Sequence, residues 1–499
     1  MGLPFRQSLL PGDLNNNKEL RPSLSSTWKS GKVPAVFSVA DSLTFQFTFE
    51  DPQGFFIEFM SGELGEIFEP MHFLKKYHPK YSDKADIDKL LKEEGFDSWD
   101  KIMAYKTAHW ENANPDVPSI LGWVSITEPP ASRFVAERNP YFFKVDTAGK
   151  QLPYIDRIIT NPGVNQEVID LNIVQGNADV AYINTSFSNF TLYKENEKSG
   201  GYRTLLWAND VASELGLEVN QTHTEDPVLG EILRDVRFRR ALSMGVNRDQ
   251  MNELLFSGQG KPRAATLLPE SPYYKPEWEM AYANLDLDAA NALLDEMGLK
   301  WDANREWRLR PDGKAVSLVV ETTAVFAGAE DTFAIIKQNW EEIGVQLDWN
   351  VTTDRSLFRN RIYSGKTQIA AWHTNGAIYP YKFARWAPWR KNCYWASLNG
   401  LWYQSGGEKG IKPEGDVMKL TELYSEIQAT TDSARKKELM QEMFDLHAEN
   451  VWLIGLVGGL PMPVIVNEKL RNVPEESFFA WLIGRYIAHK HPYQFYYAE

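Results

Sequence analysis

Apolar positions along this chain switch repeatedly between a period of two and a period near 3.6. Val36 to Glu50 alternates, with Leu43, Phe45, Phe47 and Phe49 on one face, and predicts a half-buried strand. The residues before it, 1–33, are polar and broken by Pro4, Pro11 and Pro22, and read as loop. Helical pieces are expected around Phe55–Phe68 and Asp86–Glu94, with Trp99 and Trp110 as core. From Arg133 to Arg157 the pattern gives a strand, a turn at Asn139–Pro140, a turn at Gly149 and a second strand. A helix with the stripe Val168, Leu171 and Val174 follows. Gly176 ends it, and Asp179–Ile183 reads as a strand.

From Asp226 to Pro262 the chain predicts two capped helices. Asp235 caps a stripe of Val236, Phe238, Ala241 and Leu242. Asn247 caps a second helix with Met251, Leu254 and Leu255 inward, ended by Gly258 and Gly260. Arg234, Arg237, Arg239, Arg240 and Arg248 lie among them. They fit either an anion site or a basic face paired with carboxylates elsewhere, and the second reading is the simpler. A helix–glycine–strand pattern then recurs: Leu293, Leu294 and Met297 before Gly298; Phe333, Ile336, Trp340 and Ile343 before Gly344 and the alternating strand Val345–Val351. Met440, Met443, Phe444 and His447 precede another strand, Val451–Val457. Helices alternating with strands imply an α/β chain with largely parallel sheets.

A length of 499 residues exceeds one core and predicts about two to four domains. A net charge of −14 argues against nucleic acid as a partner. With Cys393 as the one cysteine there is no internal disulfide and no cysteine cluster for zinc. No run of about 18 apolar residues offers a spanning helix. The first twenty residues lack a basic start followed by an apolar core, so no signal peptide is visible. A long loop leading into the first strand raises the expectation that a segment before it is missing.

Catalytic and cofactor signatures are sparse. Gly258-Gln-Gly-Lys261 is followed by Pro262, where a phosphate loop needs a hydroxyl residue. No Gly-x-Ser-x-Gly elbow occurs. Cys393 has no evident base partner. The eight histidines are scattered, and neither His489 with His491 nor His72 with His78 has helical metal spacing. No cofactor and no metal are expected. Paired carboxylates for glycoside cleavage need spatial proximity only, and so remain open.

The informative chemistry is aromatic. Trp372, Trp386, Trp389, Trp395 and Trp402 fall within 31 of the positions, alongside Tyr379, Tyr381, Tyr394 and Tyr403. The stretch has prolines, glycines and no steady period, so it reads as mostly loop. Tryptophans on loops line clefts where they stack on sugar rings or peptide side chains, or else seal a hinge. His373 and Asn375 supply polar groups beside Trp372. Trp207 and Asn220 are further candidates, on the strand leading toward Thr224.

Several ordered blocks carry a family resemblance. They are DVRFRRALSMGVNRDQMNELLFSGQGKP (235–262), NPYFFKVDTAGKQLPYIDRI (139–158), EDPVLGEILRDVRFRRAL, LLDEMGLKWD with RLRPDGK (293–314), KQNWEEIGVQL (337–347) and the terminal HPYQFYY. From about Val36 onward the chain resembles the peptide/nickel family of extracytoplasmic solute-binding proteins, family 5. These deliver ligands to ABC importers. The resemblance implies an α/β fold of the periplasmic-binding-protein type: a two-lobed clamshell with mixed sheets, class II, of three domains. Residues 1–125 would be the remainder of small domain II. Residues 126–228 and 465–499 would form domain I and 229–464 domain III, with hinge crossings near 224–230 and 458–464. It further implies a monomer, outside the cytoplasm, that captures a solute and docks on permease and ATPase subunits. The ligand would meet Trp372, His373, Asn375, Tyr379, Trp386, Trp389, Trp395, Trp402 and Tyr403, with Trp207 and Asn220.

Two departures stand out. Family members begin with a signal peptide and the first part of domains I and II, so roughly a hundred residues are expected to be missing. In the family's peptide binders an aspartate just after a tryptophan pairs with the peptide's amine. Here Trp372-His-Thr-Asn375 puts a neutral amide there, which favours an uncharged ligand such as an oligosaccharide. A glycoside hydrolase using the same aromatic cleft, or a sensory binder of the same fold, is the alternative.

Overall fold

The structure is a computed structural model that describes residues 8–9, 17–20, 28–30, 33–41, 44–63, 69–107, 114–163, 165–326, 328–480 and 487–499. The chain divides into two compact units. One comprises Met1–Ile169, Glu468–Pro474 and Tyr486–Glu499; the other comprises Asp170–Asn467 and Glu475–Arg485.

In the first unit, the predicted strand Val36–Glu50 is a hairpin. Val36–Val39 pairs antiparallel with Phe45–Thr48, with Phe37 opposite Phe47. The alternation continues through the turn, so a single period hid two strands. Polar Asp41 marks the turn, and Ala40 N–H donates to Thr44 O across it at 3.0 Å. Phe45 and Phe47 are half-buried as the pattern required, while Leu43 lies outside the described residues. The helices Lys84–Glu94 and Trp99–Lys106 bury Ile87, Leu91, Ile102 and Met103 against Leu74 and Tyr77. A three-stranded antiparallel sheet joins Trp123–Ser125, Phe134–Arg138 and Arg157–Thr160.

The second unit holds the larger core and two sheets. A four-stranded sheet runs Val180–Ala181, Met462–Asn467, Tyr202–Asn209, Phe478–Phe479. A five-stranded sheet has the spatial order Gln346–Thr352, Ser317–Thr323, Ile369–Trp372, Gly216–Val219, Leu453–Ile454. Its first three strands are parallel, joined through the helices Ala329–Glu341 and Arg355–Tyr363. Gly216–Val219 runs antiparallel to both of its neighbours, Ile369–Trp372 and Leu453–Ile454. The expectation of largely parallel sheets is thus corrected to a mixed sheet. The antiparallel strands come from distant parts of the chain, and only the consecutive strand–helix–strand run carries a helical crossover. The expected strand Val451–Val457 is two short ones, Leu453–Ile454 and Val457–Gly458. Gly455 lies between them, packed so close to Arg263–Ala265 that a Cβ would strike backbone at 2.3 Å.

One face of this sheet carries the main core. Leu217, Val320, Leu318, Ile369 and Ala371 meet Phe238, Leu242, Leu294, Phe333, Ile336 and Trp340, all fully buried. Each such aliphatic or aromatic side chain contributes about 1.5–3 kcal/mol on leaving water. The opposite face meets Phe358 and Ile362 of Arg355–Tyr363, with Tyr394, around Ala370 and Trp372.

The capped helices form as predicted. Asp235 accepts from Arg237 N–H and Asn247 from Gln250 N–H. Met251 is buried as expected, whereas Leu254, also expected inward, is 65% exposed and Asn252 turns in. The stripe on Gln166–Val174 is likewise rotated: Leu171 is 53% exposed, while Asp170 and Ile173 are buried. Asp170 accepts from Tyr193 Oη at 2.6 Å and Asn189 Nδ2 at 2.9 Å, which draws an acid rather than an aliphatic to the inner face.

The arginines are structural, but not chiefly through carboxylates. Buried Arg248 donates to the carbonyls of Gly455, Ser243 and Ala283 at 2.8, 2.8 and 2.7 Å. Buried Arg239 donates to the carbonyls of Asn450, Leu233 and Arg234. Helix ends leave carbonyls without intrahelical partners, and these guanidinium groups satisfy them. Arg237 and Arg240 do pair with acids, Asp235 at 2.6 Å and Glu449 at 3.2 Å.

Candidate functional site

The three parallel strands end together at Thr323, Thr352 and Trp372. Ala329–Glu341 leaves toward the main core and Arg355–Tyr363 toward the other face. Successive connections that part to opposite faces open a crevice outside the carboxyl ends of the strands, where α/β sheets bind ligands.

Trp372 stands at that edge, 8% exposed. Phe326, from the loop after Ser317–Thr323, meets its ring edge-on at 4.9 Å, and Phe358 stacks on it at 5.8 Å. Tyr394 closes the cluster at 5.9 Å, and the Arg355 guanidinium lies 5.4 Å above the indole. His373 follows, its ring 5.5 Å from Phe326. Burial, with the charges of Arg385 and Arg355, holds its imidazole well below the usual range, so it is neutral.

The turn after Trp372 is anchored from below. Arg385 donates to the His373 carbonyl, and its Nη2 lies 3.5 Å from Glu218 Oε1. Glu218 and Arg385 are both buried. Burial pushes the Glu218 carboxyl up, and Arg385 opposes that shift. Gly376 adopts φ of 76°, with the Phe383 ring where a Cβ would stand. Its carbonyl accepts from Trp386 Nε1 at 3.0 Å. Asn375 is buried, and its Oδ1 has no hydrogen-bond partner among the described residues; the same holds for Thr374 Oγ1.

The remaining candidates are dispersed. Trp386 and Trp395 are fully buried, and each indole N–H is committed to a backbone carbonyl, Gly376 and Arg385. Trp395 stacks on Trp452 at 4.8 Å. Trp389 stacks on Tyr424 at 5.7 Å under the Arg390 guanidinium. Trp402 and Tyr403 lie on a helix, Ser397–Gln404, rather than the expected loop, and Tyr403 Oη bonds Ser425 and Gln428 at 3.1 Å. Tyr379 is 37% exposed. Trp207 is buried in the four-stranded sheet near Tyr182. Asn220 is buried and occupied: Nδ2 donates to Thr367 O and Gly365 O, and Oδ1 accepts from Thr222 N and Oγ1.

Sequence reasoning missed Phe326, Phe358, Arg355, Arg385, Glu214 and Glu218. Phe326, Phe358 and Arg355 come from other elements, and Arg385 lies unremarked within the aromatic stretch itself. Glu218 did leave a signal, since it puts an acid between Leu217 and Val219 in a strand buried on both faces. Burial raises the Glu214 carboxyl to about 7. Cys393 is buried, and burial and the charge of Glu218 push its thiol well up, which disfavours the thiolate form. Among the described residues no group of three or more His, Cys, Asp or Glu could hold a metal ion, and no helix is long and apolar enough to cross a membrane.

The model for bacterial extracellular solute-binding proteins, family 5 Middle, matches residues 14–395. The periplasmic alpha-galactoside-binding protein of Rhizobium meliloti (strain 1021) is 23% identical over 419 residues, covering 81% of this chain and 56% of that protein. The oligopeptide-binding protein OppA of Lactococcus lactis subsp. lactis is 30% identical over 115 residues, 23% of this chain and 19% of that protein. The chain spans about half the length of the alpha-galactoside-binding relative. A solved oligopeptide-binding protein OppA superposes with a TM-score of 0.71 at 33% identity, covering 100% of this chain and 80% of that one. The periplasmic binding protein MelB from Agrobacterium fabrum C58, in complex with stachyose, shares the fold with a TM-score of 0.67 at 18% identity, covering 98% and 69%. The fold is accordingly the α/β fold of periplasmic binding proteins, and this chain belongs to the family 5 bacterial extracellular solute-binding proteins.

Proposed function

We propose that this chain is the substrate-binding subunit of an ABC importer, working outside the cytoplasm as a monomer and delivering an oligopeptide or oligosaccharide to permease and ATPase subunits. The observation that carries this reading is the edge cluster of Trp372, Phe326 and Phe358 with unpartnered oxygens on Thr374 and Asn375, in a chain whose relatives bind such ligands. Flat apolar faces beside unsatisfied polar atoms suit a ligand that stacks and hydrogen-bonds. On this reading Trp372, His373, Asn375 and Tyr379 meet the ligand. Trp386, Trp395, Trp207 and Asn220 hold the surrounding framework, and Trp389, Trp402 and Tyr403 form its aromatic flank. Residues 1–125 serve as the remainder of domain II, 126–228 with 465–499 as domain I and 229–464 as domain III, with crossings near 224–230 and 458–464. Binding requires no catalysis.

Isothermal titration against a panel of oligopeptides and oligosaccharides tests the proposal. One member is expected to bind at 1:1 and to be recovered chemically unchanged, and Trp372→Ala is expected to weaken it at least tenfold. Turnover of the ligand, or full affinity in Trp372→Ala, would remove the reading.

A further inference from the structure

In the five-stranded sheet, Gly216–Val219 and Ser317–Thr323 flank Ile369–Trp372. In register, Glu218 and Glu321 both stand opposite Ala370, one on each side of it. Paired residues on neighbouring strands project from the same face, and Ala370 lies two positions before Trp372. Both acids therefore share the face of the indole. The residues next to them, Leu217, Val320 and Ala371, project into the main core instead. Glu218 and Glu321 are buried, at 1% and 4% exposure. The row reads acid, alanine, acid, on the face that carries Trp372.

Each acid holds an arginine that governs one side of Trp372. Glu321 accepts from Arg361 Nε at 2.6 Å and from its Nη2 at 3.0 Å. Arg361 lies one turn after Phe358 on Arg355–Tyr363, the helix that sets Phe358 and Arg355 against the indole. Glu218 Oε1 faces Arg385 Nη2 at 3.5 Å, and Arg385 Nη1 donates to the carbonyl of His373, the residue after Trp372. Arg385 is held in turn, since its own carbonyl accepts from the Trp395 indole N–H at 2.6 Å.

Stability alone does not explain two acids in this interior. Taking charges out of water offsets most of the attraction of an ion pair, and apolar residues of similar size often serve as well or better. A guanidinium fork does what an apolar side chain cannot. It joins a carboxylate and a second acceptor in one fixed geometry. Arg385 thereby ties the carbonyl beside Trp372 to a strand already paired with Trp372 through Gly216. We infer that Glu218 with Arg385, and Glu321 with Arg361, are positioning residues: they set Trp372 and the His373–Gly376 turn in the geometry that receives ligand, and touch no ligand themselves. This rests on the solute-binding reading and extends it from the residues that meet ligand to those that hold them.

The test uses the full chain labelled with fluorotryptophan, in which the fluorine resonance of Trp372 is identified by its loss in Trp372→Phe. Two double variants are compared with it: Glu218→Leu with Arg385→Met, and Glu321→Leu with Arg361→Met. Neither leaves an unpaired charge from its pair, so each is expected to melt within a few degrees of the native chain. Each is expected to shift the Trp372 resonance while those of Trp278 and Trp340 stay in place. Each is also expected to weaken binding of stachyose or tetra-alanine, whichever the native chain takes, at least tenfold. A pair with only a structural role would move the melt and leave the Trp372 resonance alone. A variant with the native Trp372 resonance, with native affinity, or without a cooperative melt overturns the inference for its pair. A native chain that binds neither probe overturns the solute-binding reading, and the Trp372 resonance then decides the positioning by itself.

Discussion

Asn220 and Asn375 show how one residue type takes opposite roles. Both are buried, but Asn220 has its amide fully used, whereas Asn375 keeps an oxygen unpartnered beside Trp372. Removing the Asn220 side chain leaves the Thr367 carbonyl and the Thr222 N–H buried without their partner. An unsatisfied buried group costs about 1–3 kcal/mol. Asn220→Ala is therefore expected to lower unfolding free energy by about 2 kcal/mol in urea titration. Asn375→Ala, which takes away an oxygen without a hydrogen-bond partner among the described residues, should cost less than half of that in the same titration. Equal losses in the two variants would contradict the assignment of Asn220 as framework and Asn375 as a group facing ligand.

At the level of elements, a helix end is completed by an arginine that sequence spacing placed only on a basic face. Arg248 joins the Ser243, Ala283 and Gly455 carbonyls, so it ties the end of Val236–Met244 to a loop and to the turn after Leu453–Ile454. Arg248→Met keeps the length and removes every donor. It is expected to destabilise by about 3 kcal/mol or more, since hydrogen bonds to charged groups contribute about 1.5–3 kcal/mol each. Arg248→Lys should recover less than half, because an ammonium cannot reproduce the planar fork. Both are read from denaturant midpoints. The same example marks what the sequence made legible. Periodicity, Asp235, Asn247, Gly298 and Gly344 located helices and their ends, because caps and φ-positive glycines are local chemistry. It did not separate the Val36–Val39 and Phe45–Thr48 strands, since alternation does not record a reversal. It did not foresee the mixed sheet either, whose antiparallel pairs join residues more than 150 positions apart, as Leu217 joins Ala371. The candidate site was half legible. Trp372, His373 and Asn375 are contiguous and could be read directly. Phe326, Phe358 and Arg385 reach them only through the fold, and the loop tryptophans Trp386 and Trp395 turned out to be core because the loop itself is buried.

For the whole molecule, buried titratable groups make stability depend on pH in a direction that can be worked out. His447 is buried among Trp386, Trp395, Phe444 and Trp452, and its Nε2 lies 2.8 Å from the Trp386 carbonyl. Burial pulls its pKa down to about 4, and burial also lowers His223 and His373. In the unfolded chain a histidine titrates near 6.5. Between those values the unfolded state binds the extra proton, so stability rises with pH there and is lost as pH falls from about 6.5 toward 4. A difference of this size for His447 alone corresponds to about 3 kcal/mol. Glu214 acts in the opposite sense. Its carboxyl is raised to about 7 from a usual value near 4.5, so its contribution is present at low pH and is lost as pH rises through 7. With His489, four histidines are lowered by burial against two raised acids, Glu214 and Glu218, which gives a net loss on acidification. The melting temperature of the native chain is thus expected to fall between pH 6.5 and pH 4.5. His447→Phe removes one titrating group from the core and should flatten that fall. Glu214→Gln removes one opposing group and should steepen it. Thermal melts of the three proteins at matched ionic strength decide the matter, and a His447→Phe curve parallel to the native one would show that His447 titrates normally in the folded state.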